Sequence, residues 1–365
     1  VWSDELVAGE LAARGLPGAP IGSGMGLAGP TILAHGPDVV RERFLESILT
    51  GKETWCQLFS EPDAGSDLAG LTTRAELDGD EWVITGQKVW NTSAHHADLG
   101  MLLARTNWHV PKHAGITYFV LPMRQEGVTV RPLRQMNGHA SFNQVFLTEA
   151  RIPKDHVIGE VDGGWSVART TLAHERRYGA MRPPSFGPSA SASASANATP
   201  ARAVEEARAE AARHFAPYVW YPQRAGRVDL LVERCRATGR DRDPIARQEV
   251  ARVLSLHRVS GWTAERARAN RAAGRPPGPE GSIGKLALSV VARAAARAHS
   301  LIAGSSALVV GGDAPLKGTI SEVLLSVPAQ SIAGGTDEIQ RNIVAERILG
   351  LPREPSTVEP SLKGA

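Results

Sequence analysis

Residues 52–157 of this chain are written in short β-rich runs, and from Trp165 almost to the end the text is helical. The β-rich runs fall at 82–84, 88–91, 100–105, 116–121, 128–132 and 142–147, with turn residues between them. Strands gathered into one block with helices on either side define an α+β chain with a small β domain of its own. Residues 1 to about 50 read as helices around a Gly-rich loop at 22–26. Arg41-Glu-Arg-Phe-Leu-Glu-Ser-Ile-Leu has helical spacing and stops at Gly51. The loop is preceded by no strand and followed by no acidic residue at the offset a dinucleotide site needs. Gly51-Lys52 lacks the upstream glycine of a phosphate loop and is a helix end.

The most informative residues lie inside the β block. Residues 60–67 read Ser-Glu-Pro-Asp-Ala-Gly-Ser-Asp, and about twenty residues later comes Gly-Gln-Lys-Val-Trp-Asn-Thr-Ser-Ala. Gly65 and Ser66 form a loop open to close backbone approach, since glycine has no Cβ to block a flat ligand. Residues 76–92 form a hairpin around an Asp78-Gly79 turn, which delivers Trp90 and Thr92 to the same place. An aromatic wall beside hydroxyl and amide donors suits a planar, hydrogen-bonding ring; taken singly, Trp82 and Trp90 also read as strand core and Ser60 as a turn residue.

At these residues the chain resembles the acyl-CoA dehydrogenase family, flavoenzymes that use FAD. Further landmarks in the family's order are Ala97-Asp98 before a strand, Gly163-Gly164-Trp165 opening a helix, Gly334-Gly335-Thr336-Asp337-Glu338-Ile339-Gln340-Arg341-Asn342, and Ala345-Glu-Arg-Ile-Leu-Gly350. The resemblance covers roughly residues 26–180 and 281–353. It implies a truncated N-terminal helical domain (1–51), a middle β-barrel domain (52–157), a C-terminal helical bundle (158–353) and a tail (354–365). Residues 183–200, with their Ser-Ala repeats, cannot bury apolar surface and read as a flexible linker. The Ala/Arg-rich text after it, to about residue 227, matches the family poorly. Taken together, 183–227 reads as an insert or a corrupted frame within the bundle, and helical text resumes near Val228.

The reaction implied is α,β-dehydrogenation of an acyl-CoA thioester: a base removes the α proton and the β hydrogen leaves as hydride to flavin N5. Such a site needs a positioned base, donors on the thioester oxygen and a flat electron sink. In many relatives the base is a Glu just before the Gly-Thr of the C-terminal motif, where this chain has Gly334. A second family arrangement puts the Glu on the first long helix after the β domain, just before an Arg, and Glu175-Arg176 matches it. Trp165, Ala168, Leu172 and Glu175 recur at i, i+3, i+7 and i+10, which sets Glu175 on the apolar stripe of its helix. From position alone the pair reads equally as a surface Glu beside an Arg. A carboxylate facing apolar surroundings is expected to have a raised pKa.

By the same resemblance Gln57, Phe59, Ser60, Gly65, Ser66, Trp90 and Thr92 would line the flavin, with Thr92 near N5. Thr336 and Glu338 would approach its phosphate or adenine side, and Ser66, Arg176 and Gly334 the substrate. Gly334 could donate its backbone N–H to the thioester oxygen, and its missing side chain opens space for a bulky acyl group. An Arg-x-x-Phe-Gly segment and a later Gln, with which homotetrameric relatives complete a neighbour's adenine site, are absent. That pattern implies a homo- or hetero-oligomer with a homologous subunit, and the family implies an electron-transfer flavoprotein as acceptor. A non-catalytic partner subunit, a flavin monooxygenase or oxidase relative, and a gene product that does not fold are the alternatives.

Bulk properties agree. The 41 basic and 38 acidic residues and a pI of about 9.0 are too mild a balance to argue for nucleic acid and are compatible with anionic coenzyme A. Cys56 and Cys235 form no spacing motif, the expectation for a reduced, cytoplasmic protein. No apolar run is read as reaching the ~20 residues of a membrane span, and no signal-peptide layout opens the chain, which starts at Val1 inside helical text. His95-His96 and His109 with His113 lack Cys or carboxylate partners at ligand spacing and read as loop histidines rather than a metal site.

Overall fold

The computed structural model describes residues 22–180, 222–275, 278–312 and 314–352, with residues 10, 202, 205, 206 and 209. The linker at 183–200 and the tail at 354–365 lie outside the described residues. The chain divides into two compact units between residues 221 and 222.

In the first unit a π turn, Gly24–Ala28, runs into α1 (Gly29–His35), and α2 (Asp38–Thr50) follows. Residues 22–26, expected as a loop, are therefore mostly helical. Gly24 serves close packing: a Cβ there would sit 3.0 Å from the ring of Trp55. In α2, Val40, Phe44 and Ile48 recur every four residues and are all buried. The helix ends as expected at Gly51, whose left-handed φ of 66° lets its N–H reach the carbonyls of Ile48 and Ser47.

Seven strands follow: β1 (Trp55–Leu58), β2 (Arg74–Asp78), β3 (Glu81–Thr92), β4 (Leu99–Arg105), β5 (Ile116–Pro122), β6 (Val128–Leu133) and β7 (Phe142–Pro153). They form one sheet in the order β1-β4-β2-β3-β7-β6, with β5 paired to β4. The β2–β3 hairpin closes with Asp78 opposite Glu81 and Gly79 at φ 62°. The expected runs at 82–84 and 88–91 are one strand, β3, kept continuous on its partner β7 by register shifts. β1 pairs in parallel with β4, a contact across more than forty residues that no local pattern announces.

α3 (Gly164–Ala180) belongs to this first unit, whereas the helix was expected to open the C-terminal bundle. The reason is its apolar stripe. Val167 and Ala168, with Trp165 and Leu172 beside them, join a core made with Leu27, Ile32, Phe44, Trp55, Phe59, Met101 and Tyr118. A Cβ on Gly164 would lie 2.6 Å from the β5 backbone, so glycine is what seats the helix start on the sheet. A second core, around Trp82, Ile84, Phe119, Val145 and Ile152, fills the other side. Each large side chain buried in these cores contributes about 1.5–3 kcal/mol.

The second unit is helical: α4 (Leu231–Ala237), α5 (Pro244–Ala272), α6 (Glu280–Ala303), α7 (Thr319–Ser326) and α8 (Asp337–Arg347). α5 starts on Asp243, whose carboxylate accepts from the N–H groups of Ile245 and Ala246, with Pro244 in the first turn. Contrary to the sequence expectation, one segment among the described residues, Glu280–Leu308, is long and apolar enough by length and composition to cross a membrane. Its alanine-rich text hid the run. In the unit, Val291, Ala292, Ala295, Ala298 and Ile302 of α6 are buried, several of them against α4 and α5, as in the central helix of a bundle.

Candidate active site

Two segments of the first unit are fastened side by side. Val89 donates to the carbonyl of Ser60 at 2.9 Å, and Asn91 Nδ2 to the carbonyl of Gln57 at 2.8 Å. Lys88 Nζ donates to the carbonyl of Phe59 at 3.0 Å and to Glu61 Oε1 at 2.8 Å. The β3 strand carries one extra residue here, between the pairs Lys88–Val145 and Asn91–Asn143. Trp90 takes up that extra residue with φ at 63°, and Ser93 follows at φ 56°. Two non-glycine residues in the left-handed region within four positions are strained backbone. The bulge turns Trp90 out of the sheet, leaving it 57% exposed with its ring edge-on to Phe142.

Trp90 is thus an exposed wall and Trp82 is core, packed edge-on against Phe119. Gly65, Ser66 and Thr92 are exposed and Ser60 half-buried. A Cβ at Gly65 would meet nothing within 4 Å. An open aromatic face, with Ser60 fastened to the residue before it and Thr92 two positions after it, has the chemistry for a planar, hydrogen-bonding ring such as that of FAD. Phe59 departs from the expected set. Its side chain is 4% exposed and stacked edge-on against Tyr118, so it lines the core rather than a ligand. The strand alternates, and Phe59 points to the same side as Trp55.

The Glu61–Lys88 pair is the feature that sequence reasoning missed. Both side chains are buried, and Glu61 also accepts from the N–H and Oγ1 of Thr72 and the N–H of Thr73. Burial works against the Glu61 charge, but Lys88 and these donors outweigh it and hold the carboxyl at about 2. Burial pulls the Lys88 ammonium down to about 8, with Glu61 opposing. A signal was present: Lys88 is in phase with Trp82 and Ile84 on β3, and a lysine on a core face demands a buried carboxylate.

Glu175 lies on the stripe of α3 as expected, half-buried, one turn beyond the fully buried Thr171. Thr171 is tied by its hydroxyl to Thr31 (2.9 Å) and to Tyr118 (3.1 Å), which fixes the helix on α1 and β5. Gln57 Nε2 donates to Glu175 Oε2 at 3.4 Å. Burial pushes the Glu175 carboxyl above its ordinary range, while the Gln57 hydrogen bond and the adjacent charge of Arg176 pull it back.

In the second unit Gly334 and Gly335 both adopt positive φ, 68° and 86°, and lead into α8. Thr336 caps that helix, its hydroxyl accepting from Ile339 N–H. Asp337 is buried against Arg293 at 2.8 Å and Lys285 at 3.8 Å, whereas Glu338 is exposed and pairs with Arg341. Buried Asp337 was the other residue missed.

Comparison with known proteins agrees with this layout. Residues 56–149 match the acyl-CoA dehydrogenase middle domain and residues 202–349 the acyl-CoA dehydrogenase C-terminal domain. The Ala/Arg-rich text at 202–227, expected to fit the family poorly, falls inside the second match. The chain is 36% identical to the acyl-CoA dehydrogenase IpdE1 of Mycobacterium tuberculosis, over 90% of this chain and 74% of that one. It is 35% identical to FadE34 of the same organism, over 89% of this chain and 39% of that one. Among solved structures, the Tcur3481-Tcur3483 steroid ACAD superposes with a TM-score of 0.71 at 25% identity, covering 91% of this chain and 77% of that one. The ChsE4-ChsE5 complex from Mycobacterium tuberculosis gives 0.67 at 25% identity, covering 92% and 79%. The chain belongs to the acyl-CoA dehydrogenase family, FAD-dependent oxidoreductases acting on the CH–CH group.

Proposed function

We propose that this chain removes the α proton of an acyl-CoA thioester with Glu175. The observation that carries the reading is a carboxylate on the apolar stripe of α3, held by Gln57 and raised by burial. A raised carboxyl is a stronger base once ionised, and the α carbon of a thioester needs one. FAD, when bound, supplies the acceptor for the β hydrogen as hydride. Ser60, Gly65, Ser66, Trp90 and Thr92 would hold its ring from the first unit, with Thr336 and Glu338 toward its phosphate or adenine side. Ser66, Arg176 and Gly334 would meet the substrate. Gly334, without a side chain, favours a bulky acyl group, and the steroid named for one structural relative points the same way. An electron-transfer flavoprotein as acceptor and a cytoplasmic location complete the reading.

A second reading, a non-catalytic subunit beside an active homologue, is favoured by Gly334 and by relatives solved as two-component assemblies. The test is the visible spectrum of the purified protein, alone and co-expressed with a homologous subunit, during anaerobic addition of acyl-CoAs of graded bulk. A flavin band that bleaches with one acyl class is expected. A flavin-loaded protein that bleaches with none contradicts the catalytic reading.

A further inference from the structure

β1 alternates between the two cores of the first unit. Trp55 and Phe59 enter the core beneath α1, α2 and α3, while Cys56 and Leu58 enter the other. Gln57 shares the side of Trp55 and Phe59 and is the polar exception among them. Glu175 is likewise the charged exception on the stripe of Val167, Ala168, Thr171 and Leu172. Burying an amide or a carboxylate without a partner costs free energy. The two exceptions meet each other, Gln57 Nε2 to Glu175 Oε2 at 3.4 Å. At the same residue the Gln57 carbonyl accepts from Asn91 Nδ2 at 2.8 Å. Asn91 directly follows Trp90 in the strained bulge, and its own carbonyl accepts from Asn143 Nδ2 at 2.9 Å.

We propose that Gln57 is a positioning residue that aims the Glu175 carboxylate and ties it, through Asn91, to the bulge presenting Trp90. The inference rests on Glu175 being the base, and it turns Gln57 from a flavin contact into the donor that keeps the base ionised. One carboxylate oxygen is engaged by the amide, so the other is the one left to take a proton. The 3.4 Å separation is long for such a bond, as catalytic hydrogen bonds often are before substrate binds. The charged neighbour on α3 is Arg176, with His174 next to Glu175 in sequence. Among the described residues, the titratable groups packed against α3 are His35, bonded to Thr170, Tyr118, bonded to Thr171, and His113, whose ring lies edge-on to Trp165.

The sign follows from the donor. An amide N–H stabilises the carboxylate and not the neutral acid, so its removal raises the pH at which the base becomes active. In the flavin-loaded protein, with its partner subunit if one is required, the rate of anaerobic bleaching is measured against pH. Gln57→Leu is expected to move the acidic limb to higher pH and lower the rate on that limb about tenfold. Flavin content and acyl-CoA binding should be retained and the rate recovered at high pH. Gln57→Glu, which keeps the shape and adds a like charge, is expected to move the limb further, and it serves if the leucine variant loses its flavin. A native pH limb in the glutamate variant overturns the proposal. Glu175→Gln separates the two failures: if that variant still turns over, the base reading itself is lost, whereas an inactive Glu175→Gln beside native-limb Gln57 variants removes only this inference.

Discussion

Lys88→Met is expected to destabilise the first unit by about 3–5 kcal/mol, because it leaves the Glu61 carboxylate buried without its counter-ion. The same substitution frees the Phe59 carbonyl, which accepts from the ammonium at 3.0 Å. The clamp between residues 57–61 and 88–91 then rests on Val89 and Asn91 alone, and the flavin content of the purified protein should fall with stability. Removing both charges, in Glu61→Gln with Lys88→Met, should recover part of the loss, since no uncompensated charge remains and the amide oxygen, in the place of Oε2, still accepts from Thr72, while the Thr73 N–H loses its acceptor. Thermal and urea unfolding of the two variants beside the native protein reads this directly, and an unfolding midpoint unchanged in Lys88→Met would sink the claim. The pH dependence has a definite sign. The Glu61 carboxyl is held at about 2 in the fold against an ordinary value near 4.5. Its contribution is therefore complete above about pH 4.5 and is lost as pH falls from there toward 2.

Glu175→Gln is expected to lower the rate of anaerobic bleaching by about 10²–10⁴-fold, the range for loss of a general base. The amide nearly matches the carboxylate in shape, so flavin and acyl-CoA should still bind. A fall in rate with binding intact separates a lost base from a damaged fold. Equal loss of binding and rate would instead make Glu175 a structural residue of α3.

The sequence carried the local parts of this site. The hairpin with its Asp78-Gly79 turn, the helix end at Gly51, and the phase that puts Glu175 on the stripe of α3 all rest on short-range periodicity and turn chemistry. What it did not carry is long-range pairing. β1 becomes a strand because β4 lies beside it, and α3 joins the first unit because Tyr118 and Thr31 receive Thr171. The approach of Gln57 Nε2 to Glu175 at 3.4 Å is visible only once the chain has folded. Phe59 looked available until the alternation of β1 turned it into the core. The bulge at Trp90 is similarly silent in sequence, since a tryptophan at positive φ breaks local preference and is held only by its neighbours.

The most direct test of Glu175 as the base follows α-proton exchange rather than overall turnover. The probe is a β-blocked analogue, with no hydrogen on the β carbon, of whichever acyl-CoA bleaches the flavin. It is incubated in D2O with the flavin-loaded protein, and deuterium at the α carbon is followed by NMR. Exchange by the native protein and its loss in Glu175→Gln is the predicted result. Exchange at the same rate in Glu175→Gln would contradict it and place the base elsewhere.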